Sequence, residues 1–280
     1  MAPVSVTQIS GRGVKVRLRV AAPRDDRQRR HVIRPSAWQL VGRTEREAIS
    51  KVGHQFAFAP GTVLGHISSD WSNTVTIIRS GLAKTVSADK RTILRLHSAG
   101  DVIGHEAVFL ERGVPLLETT VTISDTFGVR VPLQRFEELL GRFPTMYRAL
   151  YASMVDRTLE SDYLRNLAML GSSPLVAHGL GFLAVRYGEE TDDGSPSLPL
   201  SQDDVARLLG TSRETLVRAL KDLREAGAVR TTRGAIAITD FEALDKYGDP
   251  AIDRWRFTPT SAFATPDAEE HQQRTLSGTA

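Results

Sequence analysis

The sequence predicts an α+β protein with three parts: an N-terminal double-stranded β-helix (a jelly-roll), a long helix, and a C-terminal winged helix-turn-helix. Residues 55–132 hold short apolar segments separated by glycine-containing turns, at the spacing of about 8–12 residues that is typical of sandwiches and barrels. Residues 144–170 place apolar side chains at helical intervals over a length of about 40 Å. Residues 199–239 contain two short amphipathic segments joined at a glycine and followed by two β-type segments.

The absence of cysteine excludes several classes of function. A chain of 280 residues without cysteine has no disulfides, no thiol nucleophile, no iron–sulfur cluster held by thiolates and no cysteine-based zinc site. Residues 1–12 lack the apolar core of a signal peptide. The most apolar window, residues 168–185, includes Pro174 and His178, which favours a buried helix over a membrane span. We therefore expect a cytoplasmic protein that has no contact with membranes.

Charge and composition predict the domain boundaries. Residues 1–34 contain nine Lys or Arg and two Asp, so this segment could bind phosphates or remain a solvated arm. Residues 189–199 are acidic and contain Pro and Gly, which predicts a loop. The predicted parts are a basic, flexible arm at 1–36, a β-roll at 37–143, a long helix at 144–171, a winged helix-turn-helix at 172–245 and a mostly disordered tail at 246–280.

Capping residues define the two short helices near the C-terminus. Ser201 is a favourable N-cap for the first helix, and Gly210 suits the position just after its end. The apolar face of this helix consists of Val205, Leu208 and Leu209. Thr211 and Ser212 then precede the second helix and are predicted to cap it. The pattern is that of two helices joined by a turn of three to four residues.

The second helix separates an apolar face from a charged face. At about 100° per residue, four apolar residues of this helix fall in a single arc: Leu216, Ala219, Leu220 and Leu223. Arg213, Glu214 and Arg218 lie outside this arc and project away from the core. A guanidinium fits O6 and N7 of guanine, and a carboxylate accepts a hydrogen bond from N4 of cytosine. The helix therefore predicts sequence-specific contact with double-stranded DNA in the major groove.

Two short strands after Gly227 form the predicted wing, where Arg230 and Arg233 could meet phosphates. The residues predicted to contact DNA are Thr211, Ser212, Arg213, Glu214, Arg218, Lys221 and Arg233.

The segment Thr211-Ser-Arg-Glu-Thr-Leu-Val-Arg218 resembles the recognition helix of the cyclic-AMP receptor protein and fumarate–nitrate regulator (Crp–Fnr) family. The resemblance extends over residues 55–240, including Ala99-Gly-Asp-Val-Ile-Gly104 and the helix start at Pro144. It implies a cyclic-nucleotide-binding β-roll, a long dimerisation helix, and a homodimer that binds a two-fold symmetric operator in the nucleoid and contacts RNA polymerase. By matching positions, it also implies that the three charged residues of the recognition segment contact bases.

The β-roll departs from the family pattern at the effector site. Gly104-His105-Glu106-Ala107 stands where the family has Gly-Glu-Leu, and Glu118 stands where it has the Arg that pairs with the cyclic phosphate. A carboxylate in place of this cation turns attraction to the phosphate into repulsion. The sequence therefore predicts no bound cofactor and disfavours cyclic AMP, leaving the effector unknown. The candidate effector-site residues are Gly104, His105, Glu106, Glu118 and Thr119.

No metal site or catalytic group emerges from the sequence. The histidines of the predicted roll lack the spacing of metal or haem ligands, and they are His54, His66, His97 and His105. There is no convincing nucleophile–base pair or phosphate loop, so we expect no enzyme activity. Two classes of function remain open: a dimeric DNA-binding regulator, and a nucleotide-sensing module that uses the helix-turn-helix to dock on a partner protein.

Overall fold

The computed structural model describes residues 36–66, 73–109 and 118–249. The chain divides into two compact units between Asp162 and Tyr163. Almost all of the predicted basic arm, and the tail from residue 250 onward, lie outside the described residues. Within the described ranges, no helix combines the length and the apolar character needed to cross a membrane.

The first unit contains two antiparallel four-stranded sheets and their surrounding helices. Its elements are α1 (Ala37–Leu40), α2 (Arg43–Val52), β1 (His54–Phe58), β2 (Val63–His66), β3 (Thr74–Ser80), β4 (Ala83–Ser87), β5 (Ile93–His97), β6 (Val102–Ile103), a 3-10 helix (His105–Val108), β7 (Glu118–Thr122), β8 (Thr126–Pro132), α3 (Leu133–Arg142) and α4 (Thr145–Leu167), which continues into the second unit. One sheet has the order β1-β8-β3-β6 and the other β2-β7-β4-β5. This is the jelly-roll that the glycine-punctuated β segments predict.

Strand β3 shows why the two faces of its sheet pack differently. Successive side chains of a strand point to opposite faces. Val75 and Ile77 pack against the helices, in a core that also includes residues of α1 to α4. Ile78 points the other way and packs between the sheets against Leu64 and Ala83. The roll therefore has two hydrophobic layers, one beneath the helices and one between the sheets.

Gly104 sets the chain direction after β6. Its φ of 83° lies in the left-handed region, and a Cβ at this position would come within 2.7 Å of the carbonyl oxygen of Thr74. Only glycine fits both requirements. The turn that it permits leads directly into the 3-10 helix, which begins with His105 and Glu106.

The second unit is a helix-turn-helix with a β-sheet wing. Its elements, after the end of α4, are α5 (Ser172–Tyr187), β9 (Glu189–Glu190), β10 (Pro196–Leu198), α6 (Gln202–Leu208), α7 (Arg213–Glu225), β11 (Val229–Thr232), β12 (Ala235–Ile238) and α8 (Phe241–Asp245). The strands form one antiparallel sheet of order β11-β12-β10-β9. The long helix α4 ends at Leu167, four residues before the predicted boundary at residue 171.

The segment predicted as an acidic loop, residues 189–199, is instead a hairpin made of β9 and β10. Gly194 takes a φ of 78° in the turn, and the Asp193 carboxylate accepts hydrogen bonds from the Thr191 hydroxyl and the Ser195 amide. Leu198 is fully buried where β10 pairs with β12. The prediction was wrong because turn residues were taken to mark a loop, although they occupy the bend of a short hairpin.

Candidate DNA-binding surface and effector site

Side-chain caps fix the start of both helices of the helix-turn-helix. The Ser201 hydroxyl accepts a hydrogen bond from the amide of Asp204 at 3.1 Å, and the Ser212 hydroxyl accepts one from the amide of Thr215 at 3.1 Å. Gly210 lies between the helices with a φ of 66°, which relieves the strain that another residue would have in this turn. The caps and the turn predicted from the sequence are therefore present.

Helix α7 buries its apolar face and exposes its charged face. Its buried side chains are all 4 % exposed or less: Leu216, Ala219, Leu220 and Leu223. Arg213, Glu214 and Arg218 are exposed on the opposite side. Within the part of the chain that the structure describes, these three side chains make no hydrogen bond or ion pair. Their donors and acceptors are thus available to a partner outside the chain.

The remaining DNA-contact candidates surround this charged face or lie in the wing. Ser212, Lys221 and Arg233 are exposed, whereas Thr211 is half-buried. Lys221 lies 3.9 Å from Glu225, an exposed ion pair that is worth little in water. Arg233 occupies the turn between β11 and β12 and has no partner among the described residues.

Arg230, which the sequence suggested as a second phosphate contact, is held by the chain itself. Its guanidinium donates to the Asp193 carboxylate at 3.0 Å. Hydrogen bonds from Thr191 and from the Ser195 amide hold the pKa of Asp193 well below its usual range. The pair is half-exposed, so phosphate can compete for Arg230, but Arg233 is the freer of the two cations.

In the roll, a cluster of charged side chains gathers at the predicted effector site. Arg95 on β5 pairs with Glu118 on β7 and lies 3.6 Å from Glu106. Arg157, from helix α4, donates to the Glu106 carboxylate at 3.3 Å and to the Val102 carbonyl at 2.9 Å. Glu118 therefore does not stand alone in this site, because the chain supplies its own cations to the carboxylates. We call this group of two arginines and two glutamates the roll cluster.

His97 connects the roll cluster to the sheet. Arg157 donates to Nδ1 of His97 at 3.3 Å, so Nε2 carries the hydrogen and donates to the Thr85 hydroxyl at 2.7 Å. The Thr85 hydroxyl lies 2.8 Å from that of Thr120. Burial, together with the nearby Arg157 and Arg95, lowers the pKa of His97 well below its usual value. His97 is consequently a neutral link in a buried hydrogen-bond chain.

His105 is fully buried beside the cluster. Its Nδ1 donates to the Val102 carbonyl at 3.0 Å, while its Nε2 is buried without a hydrogen-bond partner. Burial lowers the pKa of His105. Burial also opposes the charged form of Glu106, but the positive charges of Arg157 and Arg95 favour it, and the pKa of this carboxyl is lowered. Glu106 thus remains ionised between the two guanidiniums.

The structure brings together three of the five predicted effector-site side chains and shows a fourth on a different face. Glu106 and Glu118 belong to the cluster, His105 lies beside it, and Gly104 contributes the turn described above. Thr119 is buried on β7, but alternation along the strand places Thr120, not Thr119, on the same face as Glu118. Sequence reasoning missed Arg95, Arg157, His97 and Thr120. Among the described residues, no group of side chains is arranged to hold a metal ion.

Two family models match the chain. Residues 55–143 match the cyclic nucleotide-binding domain, and residues 176–247 match the Crp-like helix-turn-helix domain. Together these matches cover more than half of the chain and coincide with the β-roll and the winged helix-turn-helix.

Curated relatives and solved structures agree with these matches. The chain is 27% identical over 224 residues to "HTH-type transcriptional regulator Cmr" of Mycobacterium tuberculosis, covering 76% of this chain and 87% of that one. It is 25% identical to "Cyclic AMP receptor protein" of Thermus thermophilus, covering 63% and 80%. FixK2 from Bradyrhizobium japonicum shares the fold with a TM-score of 0.59 at 22% identity, covering 71% of this chain and 98% of that chain.

The two units therefore define a DNA-binding transcription regulator that joins a cyclic-nucleotide-binding type of β-roll to a winged helix-turn-helix. The chain belongs to the Crp–Fnr family.

Proposed function

We propose that this regulator binds DNA sequence-specifically as a homodimer on a two-fold symmetric operator, with α7 in the major groove. The observation that carries the proposal is the charged face of α7. Arg213, Glu214 and Arg218 are exposed, make no contact within the described residues, and lie near the helix N-terminus, the end that contacts base edges in helix-turn-helix proteins.

The chemistry of this face suits base recognition. The two guanidiniums match O6 and N7 of guanine, and the Glu214 carboxylate matches N4 of cytosine. Glu214 would be repelled by phosphates, so its place on this surface favours contact with a base. Ser212, Lys221 and Arg233, with Thr211 behind them, would position the helix by contacting the backbone. Arg233 at the tip of the wing suits a phosphate contact beside the groove.

The long helix supports the homodimer. Within the first unit, α4 exposes four large apolar side chains at helical spacing: Tyr147, Tyr151, Met154 and Val155. Tyr151 is 67 % exposed, which is unfavourable for an aromatic ring in water. A second copy of α4 would cover this stripe on both chains at once, as a two-fold interface requires. A dimer would also place two α7 helices on two half-sites.

The roll cluster supports an effector other than cyclic AMP. Arg95 and Arg157 already neutralise Glu118 and Glu106, so a cyclic phosphate would have to displace two carboxylates from two partly buried guanidiniums. We expect an effector of this site to carry a different charge pattern from cyclic AMP. Contact with RNA polymerase and a cytoplasmic, nucleoid-associated location follow from the family and complete the proposal.

Selection of DNA from a random pool, with and without cyclic nucleotides, tests the proposal. We expect a palindromic sequence to be enriched by the wild-type chain and lost with the double variant Arg213→Ala, Arg218→Ala. Arg43→Ala is a matched control, because Arg43 is 93 % exposed and lies on α2, in the other unit. Failure to enrich any sequence would overturn the proposal and favour action through a partner protein.

A further inference from the structure

Helix α7 exposes one large apolar side chain within its charged face. Val217 is 40 % exposed, although the other large aliphatic residues of the helix are buried. At about 100° per residue, and with Arg213 at 0°, Val217 falls at about 40° and Arg218 at about 140°. Val217 therefore lies inside the arc proposed to face DNA, not on the edge of the buried stripe.

The neighbours of Val217 on the helix surface are charged. Arg213 and Glu214 precede it by one turn, and Lys221 follows it by one turn. All three are exposed. A β-branched residue is a weaker helix former than the polar residues around it, so neither helix stability nor core packing explains a valine at this position.

The major groove offers one apolar feature at this depth, the C5-methyl group of thymine. The charged ends of Arg, Glu and Lys side chains gain nothing from this group, whereas an isopropyl group packs against it. Val217 lies about 6 Å along the helix axis from Arg213, which is roughly two base-pair steps. The contacted thymine should thus lie within about two base pairs of the position contacted by Arg213.

We propose that Val217 is a specificity-determining residue that packs against the methyl group of one thymine in each half-site. This inference rests on the proposed function and adds a base that the three charged residues do not select. The contact removes both the isopropyl group of Val217 and the thymine methyl group from water, so it is favourable without a hydrogen bond.

Deoxyuridine scanning tests the inference on the operator obtained by selection. Each thymine is replaced in turn by deoxyuridine, which removes the methyl group and leaves the hydrogen-bonding groups unchanged. For the wild-type chain, we expect the affinity to fall about fourfold when one particular thymine of each half-site is replaced. This is the loss in affinity expected when one buried methyl group is removed. With Val217→Ala, this loss should shrink to less than twofold at the same position.

Two comparisons make the result decisive. Val217→Ala keeps the four buried side chains of α7 and improves helix propensity, so the variant should fold as the wild type does, which circular dichroism checks. Arg218→Ala serves as a control, because it should weaken binding while keeping the deoxyuridine effect. Equal deoxyuridine losses in the wild type and in Val217→Ala, or no loss at any thymine, would overturn the inference alone. If selection yields no operator, the proposed function fails and this inference fails with it.

Discussion

Replacing Arg157 by methionine should destabilise the β-roll unit by about 2–4 kcal/mol. The Arg157 side chain is only 16 % exposed, and its guanidinium donates to Glu106, His97 and the Val102 carbonyl. Methionine keeps the apolar stem of the side chain and removes the three donors. The Val102 carbonyl retains the hydrogen bond from His105, but Nδ1 of His97 loses the only donor that it has among the described residues. One buried acceptor left unsatisfied costs about 1–3 kcal/mol, and the weakened ion pair of Glu106 adds to this cost.

Urea denaturation of the full chain measures this effect. The control is Arg43→Met, because the exposed pair of Arg43 with Glu47 should contribute less than about 0.5 kcal/mol. A double-mutant cycle with Glu106→Gln should show a coupling energy of about 1–2 kcal/mol between Arg157 and Glu106. An Arg157→Met variant that is as stable as Arg43→Met would refute the claim that the hydrogen bonds of Arg157 on α4 stabilise the β-roll unit.

Three further predictions concern the roll and the helix-turn-helix. Below about pH 6.5, His97 binds a proton in the unfolded chain but stays neutral in the folded protein. Because the unfolded state then binds more protons, the free energy of unfolding decreases as the pH falls. Urea titrations should show the wild type losing about 2 kcal/mol more than His97→Gln between pH 7 and pH 5. Ser212→Ala removes the cap of α7 and should cost about 1 kcal/mol in the same assay; a neutral result would argue against the cap. Cyclic AMP at about 1 mM should leave the midpoint of thermal unfolding unchanged, because a Kd near 10 μM would add about 2.7 kcal/mol and raise it visibly.

The DNA-binding half could be predicted closely from the sequence because its signals are local. Ser212 and Gly210 mark helix boundaries through their own backbone chemistry, and the spacing of Leu216 and Leu220 gives the buried face directly. These features depend on residues within a few positions of one another. The hairpin at 189–199 was missed because its pairing with β12, which is distant in sequence, converts an apparent loop into strands.

The roll cluster could not be predicted because its members come together only through the fold. Arg157 lies 51 residues from Glu106 in sequence, and Arg95 lies 23 residues from Glu118. The sequence shows Glu118 at the position where the family has an arginine. No local pattern could reveal that Arg95 pairs with this carboxylate. Thr119 stays a prediction for the effector site, although alternation along β7 places it on the opposite face from Glu118.

The most direct test of base contact by α7 is an affinity matrix measured by gel shift. Wild type, Arg218→Ala and Arg43→Ala are each titrated against the operator and against every single base-pair variant of one half-site. We predict that Arg218→Ala loses about 1–3 kcal/mol on the operator and becomes insensitive to substitution at one base pair, while discrimination at the others persists. Uniform weakening on all sequences, with the wild-type pattern of discrimination intact, would contradict the claim that this helix reads bases.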